Sequence, residues 1–314
     1  MTRRYPRFAD LPIRPSLPPM SAWGLWGDSD TRGTLNFLDA DSRAAGLASV
    51  RSGQVFPLEA PFERYRPPLF GRARFSRRAE LFPGGRDEVL DDVNLQVSSH
   101  WDALAHVEHR HHGYYNNQPV DRLGIDNLAS TGLVTRGVLI DIEGWCRRRG
   151  ESVGHEASRS FEVADLVDCL AEQGASLTSG SVVVLHTGWN GEQFTDGTVR
   201  CAGLRPSPEL LEYIWDHQLA ALAADNPTVE PCPIGSTADA RTRRLAREDG
   251  VALASVSLHQ TAIPLLGLML GEMWATGDLV EHCRTEDQWS FLLTSSPIHL
   301  AGSVAAPCAA LAVV

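Results

Sequence analysis

The residues whose types and spacing could do chemistry lie in one stretch: Gln96, Ser98, His100, Asp102 and His106, followed by His109, His111 and His112. If residues 94–102 are extended, side-chain alternation puts Gln96, Ser98, His100 and Asp102 on one face. A histidine and an aspartate two apart on a strand can share one cation. From Asp102 the chain turns to the helix formers Ala103, Leu104 and Ala105, and a four-residue helical step would set His106 above Asp102. Neutral imidazole and carboxylate are ordinary ligands of Zn2+ or Mn2+, and either ion can lower the pKa of bound water toward about 7. His106, with an unperturbed pKa near about 6.5, would then move the proton. His109, His111 and His112 read as a polar loop. Spacing alone weighs a metal site and a plain polar strand equally.

Composition narrows the chemistry. All 28 basic residues among the 314 are arginine, against 39 acidic ones, for a formal net charge of -11. Schiff-base and PLP enzymes, Ser-Lys hydrolases, P-loop nucleotide binders and kinases need a lysine nitrogen, so none can be built here. An acidic chain has no electrostatic reason to approach nucleic acid or anionic lipid, which leaves a small-molecule substrate as the expected partner. The six cysteines form no short pair and read as small buried hydrophobes in a reducing, cytoplasmic compartment. Arg3 and Arg4 are followed by prolines rather than an apolar stretch, so residues 1–21 read as a Pro/Arg-rich arm and 22–314 as the catalytic domain.

The elements that must position these side chains follow the pattern of an α/β fold. Residues 23–36, rich in Gly, Asp and Trp, read as an irregular opening loop. Asp39 can cap a helix over 41–50. Residues 55–58, 137–141, 181–186 and 219–224 are short apolar runs that read as strands, most of them buried. Helical spacing at 162–173 and 207–217, with Ser160 and Ser207 as N-caps, alternates with them, and residues from 291 on return to strand-like composition. Residues 64–90 read as a long surface segment able to cover a site. Its run from Arg64 to Arg78 reads as a solvated basic face.

The segment from His100 to His106 resembles the signature of the cyclase family of metal-dependent hydrolases, which includes bacterial kynurenine formamidase and isatin hydrolase and has the pattern H-x-G-T-H-x-D-x-x-x-H. Residues 27–36 are similar to that family's opening loop, 137–141 to its following strand, and Thr187, Gly188 and Trp189 to its TGW turn. Residues 224–226, with Glu230, resemble the segment that larger members carry before a second histidine. His259 to Glu272 is similar to the element H-x-x-L-L-x-x-x-G-I-x-x-x-E, where Pro264 and Gly267 suggest a helix that breaks and returns. The resemblance runs from about residue 22 to the end. It implies a swivelling β/β/α-type α/β domain with a mixed sheet, a homodimer or homotetramer, and a divalent metal, Zn2+ or Mn2+. It implies His100 and Asp102 as ligands, His259 and Glu272 as ligands or close partners, and His106 as the acid-base.

The departures matter as much. Gln96 stands where the family has its first histidine, Ser98 and Ser99 stand at its Gly-Thr pair, and Ala305-Ala306-Pro307 replaces its G-S-P ending. An amide oxygen is a poorer donor to Zn2+ than imidazole, so Gln96 is the weakest candidate ligand. The expected activity is hydrolysis of a small cyclic or aryl amide, lactam, lactone or formamide, in a pocket that Trp101, Trp23, Trp26 and Trp189 could wall. A biosynthetic cyclase, dehydratase or isomerase on the same fold stays open, as does a non-catalytic, metal-free binder.

Overall fold

The computed structural model describes residues 5–157, 159–191, 194 and 196–314. The strands are β1 Val55–Pro57, β2 Ser76–Phe82, β3 Gly85–Asp91, β4 His100–Asp102, β5 Leu133–Asp141, β6 Ser160–Phe161 and β7 Val182–His186. They continue as β8 Gly203–Leu204, β9 Ala221–Ala224, β10 Met269–Glu272, β11 Ser290–Ser295, β12 Ala305–Pro307 and β13 Ala310–Val313. Among the described residues, nine form one mixed sheet in the order β1-β13-β11-β5-β7-β9-β10-β4-β12.

Strands β5, β7, β9 and β10 run parallel; β7 and β9 are buried along their whole length. This is why residues 182–185 and 221–224 are continuous apolar runs rather than alternating ones. Helices Val163–Glu172 and Pro208–Asp216 provide the crossovers. The latter is capped by Ser207, whose side chain accepts from Leu210 N, as the sequence predicts. The former is capped by Glu162 rather than Ser160, because Ser160 is drawn into the short β6–β8 pair. Asp39 caps helix Ala40–Leu47 through Ser42 N.

The segment 64–90 is more ordered than its composition predicts. Residues 76–91 fold into the β2–β3 hairpin, outside the main sheet. Its burial pattern is nearly all exposed, so no apolar alternation announces it. The N-terminal arm lies on helix Pro208–Asp216: Phe8 N donates to Asp216 Oδ1 at 2.7 Å and Trp215 Nε1 to the Pro6 carbonyl at 3.0 Å. All six cysteines are buried. Among the described residues, no helix is long and apolar enough to cross a membrane.

Candidate metal centre

Two strands that meet at one side of the sheet build the centre. Strand β4 pairs antiparallel with β10, and His100 stands opposite Glu272. His100 and Asp102 share a face through strand alternation, and cross-strand register adds Glu272 to that face. The sequence predicts a helix that breaks and returns before Glu272; instead the helical turn from His259 ends at Gly267 and β10 follows. Gly267 has φ +70° and packs against the Gly33 Cα, where a Cβ would collide. Only glycine meets both demands.

The site atoms converge. His100 Nε2 lies 3.4 Å from Asp102 Oδ1 and 3.3 Å from Glu272 Oε2. Oxygen and nitrogen atoms of these three residues lie within 4.8 Å of one another, all buried. His100 Nδ1 is 2.8 Å from the Ser98 carbonyl, so Nδ1 carries the hydrogen and Nε2 faces the carboxylates. Among the described residues, His100 Nε2 and Asp102 Oδ2 have no hydrogen-bond partner. Two orphaned, buried ligand atoms beside a second carboxylate are the donor set of a divalent cation. The residues present therefore fit one.

His259 is the next neighbour. Its Nε2 is 2.9 Å from Glu272 Oε1 and 3.9 Å from Asp102 Oδ2, and its Nδ1 donates to Glu230 Oε1 at 2.7 Å. Glu230, fully buried, also accepts from the backbone nitrogens of Leu258 and His259 at 3.0 Å. It thereby fixes the orientation of His259, which in turn holds Glu272.

Burial disfavours the charged form of His100, but Asp102 and Glu272 overcome it and lift its pKa to about 9. His259 is raised well above the ordinary value despite its burial, by hydrogen bonds to Glu230 and Glu272. Asp102 and Glu272 are likewise buried, yet the surrounding imidazoles hold both below the usual carboxylate range.

His106 reaches the centre differently from its sequence prediction. Residues 103–106 form a turn rather than a helix, with His106 N donating to the Ala103 carbonyl at 3.0 Å. The ring still meets the site, with Nε2 3.7 Å from Asp102 Oδ2 and a quarter of the side chain exposed. Burial lowers its pKa, with His259 adding repulsion against the pull of Asp102. A neutral, partly open imidazole next to the cluster can accept a proton near neutral pH.

Gln96 is also corrected in part. Residues 95–99 form turns and bends, not a strand, and the Ser98 hydroxyl turns away to the Ala60 and Pro61 carbonyls. Gln96 nonetheless points inward, and its Nε2 donates to Asp102 Oδ1 at 2.8 Å. The amide nitrogen, which cannot ligate a cation, faces the carboxylate. Gln96 thus orients Asp102.

The four tryptophans separate. Trp101 is fully buried edge-on against Trp274, and its Nε1 donates to Ser295 Oγ at 3.0 Å. Trp26 packs with Phe37 and Trp215, and Trp23 donates to the Pro264 carbonyl at 2.6 Å. Trp101 and Trp26 serve packing, whereas Trp23 also lines a separate cavity with His111, His112 and Asn116. Trp189 lines a cavity of about 540 Å³ with Tyr65 and Arg72. The polar loop holds its own cluster, in which His109 and His112 stack at 4.6 Å. His109 is buried rather than solvated, and that burial lowers its pKa to about 4, aided by His112.

Arg72 is a site-edge residue that the sequence does not announce, since within the basic run it reads as part of a solvated face. Its guanidinium Nη1 donates to the Gln96 carbonyl at the edge of the centre. Nothing in residues 64–78, which hold six arginines and no acid, distinguishes it from its neighbours. A second acidic group, Asp141 and Glu143 near His186, already has two cations: Arg284 donates to both Asp141 oxygens, at 2.7 and 2.8 Å, and to Glu143, and Arg147 also meets Glu143 at 3.3 Å.

A mixed α/β sheet that presents a His-Asp-Glu cradle from paired strands defines a class, and comparison with known proteins places the chain within it. Residues 55–231, more than half of the chain, match the family described as "Putative cyclase"; the chain belongs to the cyclase family. His259 and Glu272 lie beyond the matched segment. A crystal structure described as that of a novel cyclase is 26% identical, with a TM-score of 0.76 over 94% of this chain and 99% of that one. Isatin hydrolase A from Ralstonia solanacearum is 13% identical, with a TM-score of 0.60 over 88% of this chain and 97% of its own. Isatin hydrolase A from Labrenzia aggregata, bound to benzyl benzoate, is 15% identical, with a TM-score of 0.58 over 87% and 97%. At these identities the hydrolases share the fold. No curated protein matches the chain.

Proposed function

We propose that this protein is a metal-dependent hydrolase of an amide or ester bond in a small cyclic or aryl substrate: an amide, lactam, lactone or formamide. The observation that carries the reading is the convergence of His100, Asp102 and Glu272, with two buried ligand atoms unpartnered among the described residues and a neutral, partly open His106 at their edge. These three residues would hold the cation, Zn2+ or Mn2+, with His259 holding Glu272 in place. A bound divalent ion supplies an activated water and polarises a carbonyl. His106 is placed to take a proton from the nucleophile and return it to the leaving nitrogen or oxygen. Gln96 steadies Asp102, and the surrounding burial strengthens every charge interaction at the centre.

Elemental mass spectrometry of protein purified without chelator tests the reading. We expect about one Zn or Mn per chain, lost in His100→Ala and Asp102→Ala. His106→Ala should keep the metal and lose turnover; an active His106→Ala would remove the proton-transfer role.

The amide of Gln96, which turns its nitrogen to Asp102, favours one alternative, a cyclase, dehydratase or isomerase that does not consume water. Hydrolysis in 18O-water labels the product. An active, metal-loaded enzyme whose product carries no label belongs to that alternative.

A further inference from the structure

The cavity beside the centre is basic and aromatic in a chain whose net charge is -11. It measures about 540 Å³, large enough for a one- or two-ring molecule. Residues 64–72, 189–191, 194 and 197–199 line it, with Tyr65, Trp189 and Phe194 as ring walls and Arg64, Arg66 and Arg72 as cations. Among the described residues, no acidic side chain lines it. The Tyr65 and Trp189 rings are 5.5 Å apart, tilted at 46°.

Arg72 joins this cavity to the metal cradle. It lines the cavity, its guanidinium carbon sits 5.1 Å over the Phe70 ring, and its Nη1 donates to the carbonyl of Gln96. The Gln96 side chain bonds Asp102. Burial disfavours the charge on Arg72, while Glu272 and Asp102 favour it, as expected of a cation at the margin of the centre. Among the described residues it makes no ion pair within 4 Å, in contrast to the surface arginines Arg77 and Arg78. A half-buried guanidinium without a carboxylate partner, whose planar fork matches a carboxylate in two parallel hydrogen bonds, is a site for an anion.

We propose that the site takes an aromatic substrate that carries its own carboxylate, with that carboxylate held by Arg72 and the ring against Tyr65, Trp189 and Phe194. Arg72 is then the specificity-determining residue, and it places the scissile bond toward His100, Asp102 and Glu272. The substrate class rests on the hydrolase reading, but its binding does not require turnover, so the two fail separately.

The test uses the metal-loaded protein, titrated calorimetrically with benzoate and with its neutral isostere benzamide. Benzoate should bind at least tenfold more tightly. Arg72→Gln should remove that preference by weakening benzoate while leaving benzamide unchanged. Protein stripped of metal should keep the preference, since it belongs to Arg72. Benzoate should also shield Arg72 of the unaltered chain from phenylglyoxal, as mapped by peptide mass spectrometry, a readout that does not depend on how the variant folds. Equal affinity for the two probes, a preference that survives in Arg72→Gln, a preference that disappears with the metal, or absence of shielding would each overturn the proposal. An inactive protein that keeps the Arg72-dependent preference sinks the hydrolase reading alone, and an active hydrolase without it sinks only the anionic substrate.

Discussion

His100 and Glu272 face each other across the antiparallel β4–β10 pair, with Nε2 3.3 Å from Oε2. The ladder fixes this pair, because a one-residue slip would turn either side chain to the opposite face. Glu272→Gln keeps the volume and replaces one anionic ligand by a neutral amide. The variant should fold with an unchanged circular-dichroism spectrum and bind Zn2+ or Mn2+ at least about tenfold more weakly in a chelator-competition titration. Wild-type affinity in that variant would remove Glu272 from the cation site.

Glu230 acts one step further out. It takes the Nδ1–H of His259 and two backbone N–H groups, and His259 in turn holds Glu272 Oε1. Direct partners of metal ligands typically change metal affinity by about 10–100-fold, and Glu230 acts through one such partner, which sets the low end of that range as its upper bound. Glu230→Gln brings an amide N–H against donors, so metal affinity should fall by up to about tenfold, and Glu230→Asp should restore part of it. Affinity unchanged in both variants would show that His259 is oriented without Glu230.

Much of this was legible in the residues themselves. The buried strands β7 and β9 announce themselves as continuous apolar runs, and Asp39 and Ser207 mark helix starts through the local chemistry of capping. His100, Asp102 and His106 stand out because close sequence spacing constrains them. What was not legible depends on partners remote in sequence. Ser160 loses its capping role to a pairing with β8, the β2–β3 hairpin has no apolar face to advertise it, and Trp101 looks like pocket material until Trp274 is set against it. His106 arrives by a turn in place of a helix, yet both routes bring it to Asp102. Arg72 carries no local mark at all; only the fold sets it apart from the other arginines.

His186 gives a pH-dependent contribution to stability. Burial opposes its charge, but Asp225, 3.1 Å from Nδ1, raises its pKa above the ordinary value. Burial likewise opposes the charge on Asp225, yet His186 and the Thr187 hydrogen bonds lower its pKa. A raised histidine stabilises fully below the unfolded value of about 6.5 and loses that contribution as pH climbs through the folded value. The lowered aspartate stabilises above about 3.9 and loses that as pH falls through its folded value. The Tm difference between wild type and His186→Gln should therefore be widest near pH 5–6 and shrink toward pH 9 in a calorimetric series. A difference that grows with pH would reverse the assigned protonation of His186.

Arg284 neutralises a carboxylate that the fold has buried completely. Asp141 ends β5 with no exposed side-chain surface, and Arg284, a quarter exposed, donates to both of its oxygens. Gly144 N supplies one further hydrogen bond, at 2.8 Å, which cannot offset a full charge. Removing one partner of a buried ion pair costs about 3–5 kcal/mol, mostly through the charge left behind. Arg284→Met, which keeps the aliphatic packing, should lower Tm by on the order of 10 °C. Asp141→Asn combined with Arg284→Met should recover much of that loss, because no uncompensated charge remains. Neither variant should alter metal content, since neither residue contributes to the His100, Asp102 and Glu272 group. A double variant as unstable as the single one would show that the pair stabilises by geometry rather than by charge neutralisation.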